Sequence, residues 1–255
     1  MVSIARPGNL TSTLSQFGIS TNAAAAFSPL IGIGLFQGGR VAIVFWLAAL
    51  ACVAGALLAL RAPESRLPVE QPAADGARVP WWPAALAIGT FGITYAVHVD
   101  FVPVRGAARA IPAFGLYYTV YALAVTGTRA ISGRIGDRHG RAWLVIPGAV
   151  AAAVAMALLG WAITMGQLVA AAMLYGVAGG SIHPAVLAPL LERAPSARRG
   201  SASAIFYLAY DGGIALGGPA VGALLTSLPA SSALPLVGLV GVAGAGILAA
   251  TTRRS

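Results

Sequence analysis

The chain alternates long apolar runs with short polar gaps, and the lengths of those runs decide what it can build. A helix crossing the hydrocarbon core of a bilayer needs about 20 predominantly apolar residues. Charge-free windows cut at turn residues give eight such runs: 12–35, 41–60, 81–102, 113–132, 143–163, 168–190, 201–226 and 232–250. Gln37-Gly38-Gly39-Arg40 parts the first two. Thr164-Met165-Gly166-Gln167 is the natural cut in 142–191, a window without Arg, Asp or Glu that is twice one span in length. The segment 103–112, with Pro103, Arg105, Arg109 and Pro112, reads as a short loop. The pattern predicts an all-α integral membrane protein of eight transmembrane helices.

One stretch breaks the rhythm. Residues 61–80 hold Pro63, Pro68, Pro72 and Pro80 among Arg61, Glu64, Arg66, Glu70, Asp75 and Arg78. Low hydrophobicity with frequent proline predicts a flexible linker. It divides a two-helix part, 1–60, from a six-helix part, 81–255. A second polar cluster, Gly133-Arg134-Ile135-Gly136-Asp137-Arg138-His139-Gly140-Arg141, sits between two apolar runs and reads as a charged hinge loop at the membrane surface.

Composition removes the soluble alternative. The chain is 58% hydrophobic and 9% charged, against about 25% charged for a soluble domain. Its net charge of +9 comes from 16 basic residues, all of them arginine. They lie in the gaps rather than on one face of a fold, so membrane topology explains them better than nucleic-acid binding. Alternate gaps hold unequal shares. Arg40, Arg105 and Arg109 fall on one side, and the other thirteen on the opposite side, counting Arg129 at a helix end. The arginine-rich side is the cytoplasmic one. That places both termini of a multi-pass membrane protein inside. Cys52, the one cysteine, lies within a span and has neither a disulfide partner nor metal-ligating neighbours.

Charges and polar groups inside spans carry the candidate chemistry, because a charge in the bilayer normally faces a cavity or a partner. Asp100 and Asp211 are the two carboxylates within runs, and either could carry a proton or meet a polar substrate. His98 titrates near neutral pH when free, though a hydrogen-bonded place at the membrane interface is the plainer reading. Arg129 falls near one helical face with Tyr118 and Tyr121. Tyr207 shares a face with Asp211. Asn22 is the mid-span polar candidate of the first run. His183, before Pro184, reads as structural. Gly213-x-x-x-Gly217 and Gly218-x-x-x-Gly222 read as helix-packing surfaces. Tyr210-Asp211 and Gly136-Asp137 echo the paired motifs of an intramembrane aspartyl protease, but their order is reversed and Asp137 lies at the surface. No metal pair, cofactor loop or nucleophile elbow appears, so no cofactor and no enzymatic activity are expected.

The spacing Gly133-x-x-x-Asp137-Arg138-x-Gly140-Arg141 resembles the cytoplasmic loop signature of the major facilitator superfamily of secondary transporters. Phe114–Arg141 is similar to the eighth helix and following loop of bacterial sugar- or drug-efflux members. Tyr175-Gly176-x-x-Gly179-Gly180-x-x-His183-Pro184, followed by Arg199-Gly200, is similar to the tenth helix and its exit. The resemblance implies that the eight runs are helices five to twelve of a twelve-helix transporter, with the first four absent. It implies proton-coupled efflux of a small molecule, in contact with membrane lipid. It implies too that a four-helix segment or a second polypeptide completes the cavity. An uptake symporter of the same fold and a non-transporting truncated protein are the alternatives. Under the resemblance Gly133, Asp137, Arg138, Gly140 and Arg141 form a conformational latch, with Asp137 facing the start of the first run near Thr11, Ser12 and Thr13.

Overall fold

The structure is a computed structural model that describes residues 28, 31–36, 38–61, 81–140, 142–195 and 198–252, with the backbone alone at 134 and 137–139. Every regular element among them is helical. The helices are α1 (Val41–Leu60), α2 (Trp82–Ala96), α3 (Val102–Ala108), α4 (Leu116–His139), α5 (Ala142–Trp161), α6 (Met165–Arg193), α7 (Arg199–Ser227) and α8 (Ala230–Thr252). A π-helical turn, Val97–Phe101, joins α2 to α3. Most of the first expected run, with Asn22, and nearly all of the linker 61–80 lie outside the described residues.

Six helical segments are long and apolar enough to cross a membrane: α1, the joined Trp82–Ala108, α5, α6, α7 and most of α8. α4 matches a seventh run in position but is diluted by tyrosine, threonine and arginine. The expected count of eight is therefore not reached among the described residues.

Two boundaries differ from the sequence pattern, and a third agrees with it. The charged hinge is not a loop up to Gly140; α4 continues helical through His139. Nothing in 133–139 forbids the helix, and the break comes only at Gly140, whose φ of 87° is open to glycine and costly for other residues. Arg129 consequently sits mid-helix rather than at a helix end. The expected loop 103–112 is helical as far as Ala108, because proline is tolerated in the first turn of a helix, where Pro103 stands. The cut at Thr164–Gln167 is a capping box. The Gln167 backbone N–H donates to the Thr164 hydroxyl at 3.4 Å, and the Thr164 N–H donates to Gln167 Oε1 at 3.1 Å. Two free donors at the start of α6 are thereby satisfied reciprocally.

The helices pair as α5 with α8, α2 with α7, α4 with α6 and α5 with α6, and α8 also packs on α2. Small residues let their backbones meet, as expected where apolar side chains gain nothing by leaving lipid. A methyl group on Gly213 would collide with the Gly89 carbonyl, and one on Gly217 would come within 2.9 Å of Ile93 Cα. Along α4 and α6, a methyl on Gly180 would meet the Val125 carbonyl at 2.9 Å. Gly222, expected to pack with Gly218, has nothing within 4 Å. α1 stands outside these pairs and buries none of its residues.

Aromatic residues divide by type. All five tryptophans, Trp46, Trp81, Trp82, Trp143 and Trp161, are exposed. Four of them lie at helix ends, where an amphipathic ring suits the membrane–water interface. Tyr117, Tyr118, Tyr121 and Tyr175 are buried instead, and they lead to the site.

Candidate functional site

The site begins with a missing hydrogen-bond donor. Pro103 has no N–H, and its ring crowds the carbonyl four residues earlier, that of Val99. The helix answers by widening over Val97–Phe101 into a π turn, a local irregularity often found at functional sites. A hydroxyl from the next helix fills the gap. Tyr118 on α4 donates to the His98 carbonyl at 3.2 Å and reaches the Val99 carbonyl at 3.4 Å.

The wide turn carries His98 inward. The side chain is buried, and its Nδ1 lies 3.0 Å from the Tyr117 hydroxyl. Five tyrosine rings surround the imidazole. Tyr121 is nearest with centroids 4.1 Å apart, then Tyr95, Tyr117 and Tyr175 at 5.1 Å, and Tyr118 at 5.3 Å. Tyr175 also stacks on Phe91 at 5.7 Å, and its hydroxyl is 2.9 Å from Thr94 Oγ1. Thr94 donates onward to the Phe91 carbonyl at 2.7 Å, which leaves the Tyr175 hydroxyl as the donor of the shared bond.

The network does not stop at His98. Tyr95 lies 5.6 Å from Tyr210 on α7, and Tyr210 lies 5.5 Å from His183 on α6. His183 in turn meets Phe206 at 4.8 Å and Tyr207 at 5.9 Å. All 7 tyrosines of the chain thus belong to one continuous ring network contributed by α2, α4, α6 and α7. His98, Tyr117, Tyr118, Tyr121 and Tyr175 form its buried part, and Tyr207 is its open edge, where a flat apolar molecule could stack and hydrogen-bond. It also places two imidazoles, His98 and His183, at separate points of one network.

The charged candidates fall around this network. Arg129 lies at the middle of α4, with its Nε buried and unpartnered among the described residues. It interacts electrostatically with Tyr121, Tyr207, Tyr210 and His183. Asp100 is exposed on the π turn, where a methyl on Gly218 would come within 2.9 Å of its Oδ2. Asp211 is exposed beside Tyr210. The structure therefore brings His98, Tyr118, Tyr121, Tyr207 and Arg129 into one neighbourhood and leaves the two carboxylates at its margin. Gly133 and Gly140 belong to the end of α4. The side chains of Asp137 and Arg138, all of Arg141, Asn22 and the first run lie outside the described residues.

Sequence reasoning passed over Tyr95 and Tyr117, named Tyr175 and Tyr210 only as parts of motifs, and set His183 aside as structural. A signal was present. Tyrosine favours membrane interfaces when it faces lipid, yet most of these tyrosines stand well inside their runs.

The family model described as Major Facilitator Superfamily matches residues 86–255. A curated relative, Multidrug resistance protein 3 of Bacillus subtilis (strain 168), is 30% identical over 106 residues, which is 42% of this chain and 20% of that protein. The aligned segment thus spans a fifth of the relative's length.

Proposed function

The chain belongs to the Major Facilitator Superfamily, and from that premise we propose that it carries a small molecule across a membrane, with the tyrosine network as the surface the molecule meets. It is a multi-pass membrane protein. The observation that carries the proposal is the convergence of every tyrosine, with His98 and His183, on the four helices α2, α4, α6 and α7. Ligand sites built between helices combine apolar walls with a few polar points, and this network has both. The α5–α8 pair offers only packing.

The direction proposed is export, which the name of the Bacillus relative, Multidrug resistance protein 3, supports. Proton coupling is assigned to Asp100 or Asp211, since both stand within helices beside the network. The excess of arginine on alternate gaps supports a bacterial inner membrane with both termini in the cytoplasm. The end of α4, with Gly133, Asp137, Arg138, Gly140 and Arg141, is proposed as the latch that favours one conformation. A complete transport path would draw on a further four-helix segment or a second polypeptide.

Reconstitution tests these readings. The chain is placed in vesicles alone, and in parallel with four preceding family helices restored, and flux of fluorescent dyes and labelled sugars is followed under a pH gradient. The expected result is saturable flux in the restored form, strongly reduced by Tyr95→Ala and by Tyr210→Ala. Flux in neither form would reject transport, and flux indifferent to both substitutions would reject the network as its path. Asp100→Asn or Asp211→Asn should abolish the pH dependence of flux; pH dependence intact in both variants rejects the coupling assignment.

A further inference from the structure

Arg129 is the feature the transport reading leaves unexplained. It stands inside the fourth apolar run, one helical turn before Gly133. A cation within a span needs a counter-charge or a purpose. Its Nε is buried with no hydrogen-bond partner among the described residues. Asp100 and Asp211 accept no hydrogen bond from a described residue, and both are exposed.

The surroundings fix where the guanidinium lies. The Ser132 hydroxyl donates to the Gly180 carbonyl at 3.2 Å, which sets α4 and α6 in register one turn before His183. The His183 ring pairs with Tyr207 and Tyr210 bring α7 to the same level. Arg129 therefore stands at the junction of three helices, among neutral rings whose hydroxyls can donate. Tyr207 is 42% exposed there, so the junction is open on one side.

A cage of tyrosines alone would suit a cation, through the negative faces of the rings. An arginine inside the cage, its Nε without a hydrogen-bond partner among the described residues, reverses that preference. We propose that Arg129, with the hydroxyls of Tyr207 and Tyr210, is an anion subsite that takes the carboxylate of a small soluble aromatic acid, whose ring stacks on the tyrosine network. Guanidinium and carboxylate match as a two-pronged charge-assisted pair. The inference rests on the network being the substrate surface, and it names the class of substrate.

Equilibrium binding to the chain in phosphatidylcholine nanodiscs tests it, because no flux is read. The probes are 2-naphthoate, its neutral isostere 2-naphthamide, and hexanoate, which has the charge without the ring. Naphthoate is expected to bind about tenfold or more tighter than either, as loss of one charged hydrogen bond implies. Arg129→Gln should erase the advantage over naphthamide, and Arg129→Lys should keep part of it, with thermal melting used to confirm that both variants fold. Tyr210→Ala should weaken naphthoate and naphthamide alike. Equal affinity for naphthoate and naphthamide, no binding of naphthoate, or an advantage that survives Arg129→Gln would overturn the proposal. Loss of naphthoate binding in discs containing phosphatidylglycerol would assign the site to lipid phosphate and overturn it as well. Absent flux with the anion preference intact sinks the transport reading alone. Flux of neutral or cationic compounds without any anion preference sinks this inference alone.

Discussion

The seam between α5 and α8 and the seams made by α2, α4, α6 and α7 solve the same packing problem with different residues. In the first, alanine and glycine meet with nothing charged between them. Ala152, Ala155 and Met156 are buried, and a methyl on Gly238 would come within 2.7 Å of Ala153 Cα. The second group uses the same device, Gly89 against Gly213 and Gly180 against Val125, and adds tyrosine, histidine and arginine. Close backbone approach is thus common property of the bundle. Chemistry is an addition confined to four helices and the π turn after α2, which together hold every buried hydroxyl–imidazole contact described above.

The largest expected effect probes what the two regions share. Gly213→Leu and Gly238→Leu should each destabilise the bundle by about 3 kcal/mol or more, since backbone rather than a flexible side chain stands in the way. Thermal melting in detergent measures both, and a marked inequality would break the claim of a common packing device. A smaller effect separates the regions. Tyr117→Phe strands the buried Nδ1 of His98 and should cost about 1–3 kcal/mol while also altering ligand binding. No single change within the α5–α8 seam should alter binding without first lowering the melting temperature. The smallest effect sharpens the packing rule itself. Gly222→Leu meets open space and should shift stability by no more than about 0.5 kcal/mol, although it lies on the same helix as Gly213.

Much of the architecture was legible because the bilayer is a simple solvent. Span length, turn residues and the capping pair Thr164 and Gln167 are local features, and seven of the eight expected runs coincide with described helices. The errors have local causes too. The charged cluster at 133–139 was read as a loop because polarity was taken for irregularity, whereas arginine and isoleucine extend a helix until Gly140 stops it. The site was only half legible. Tyr118, Tyr121 and Arg129 are neighbours along one helix, so helical spacing finds them. Tyr95, Tyr175 and Tyr210 come from three other helices, and no spacing within one helix shows that they converge. Asp211 drew notice because charge is rare in this chain, while its neutral neighbour Tyr210 is the residue that joins the two histidines.

The wide turn at Val97–Phe101 has a mechanical consequence. On its near side, Gly89 and Gly92 rivet the first segment to α7. Beyond it, Arg105 grips the Gly160 carbonyl at the far end of α5 with a 2.6 Å hydrogen bond. A bend taken at the turn swings that distal arm, and whatever it holds, while the proximal arm and its tyrosine floor stay still. The proline that costs the helix one rung thereby supplies a fulcrum.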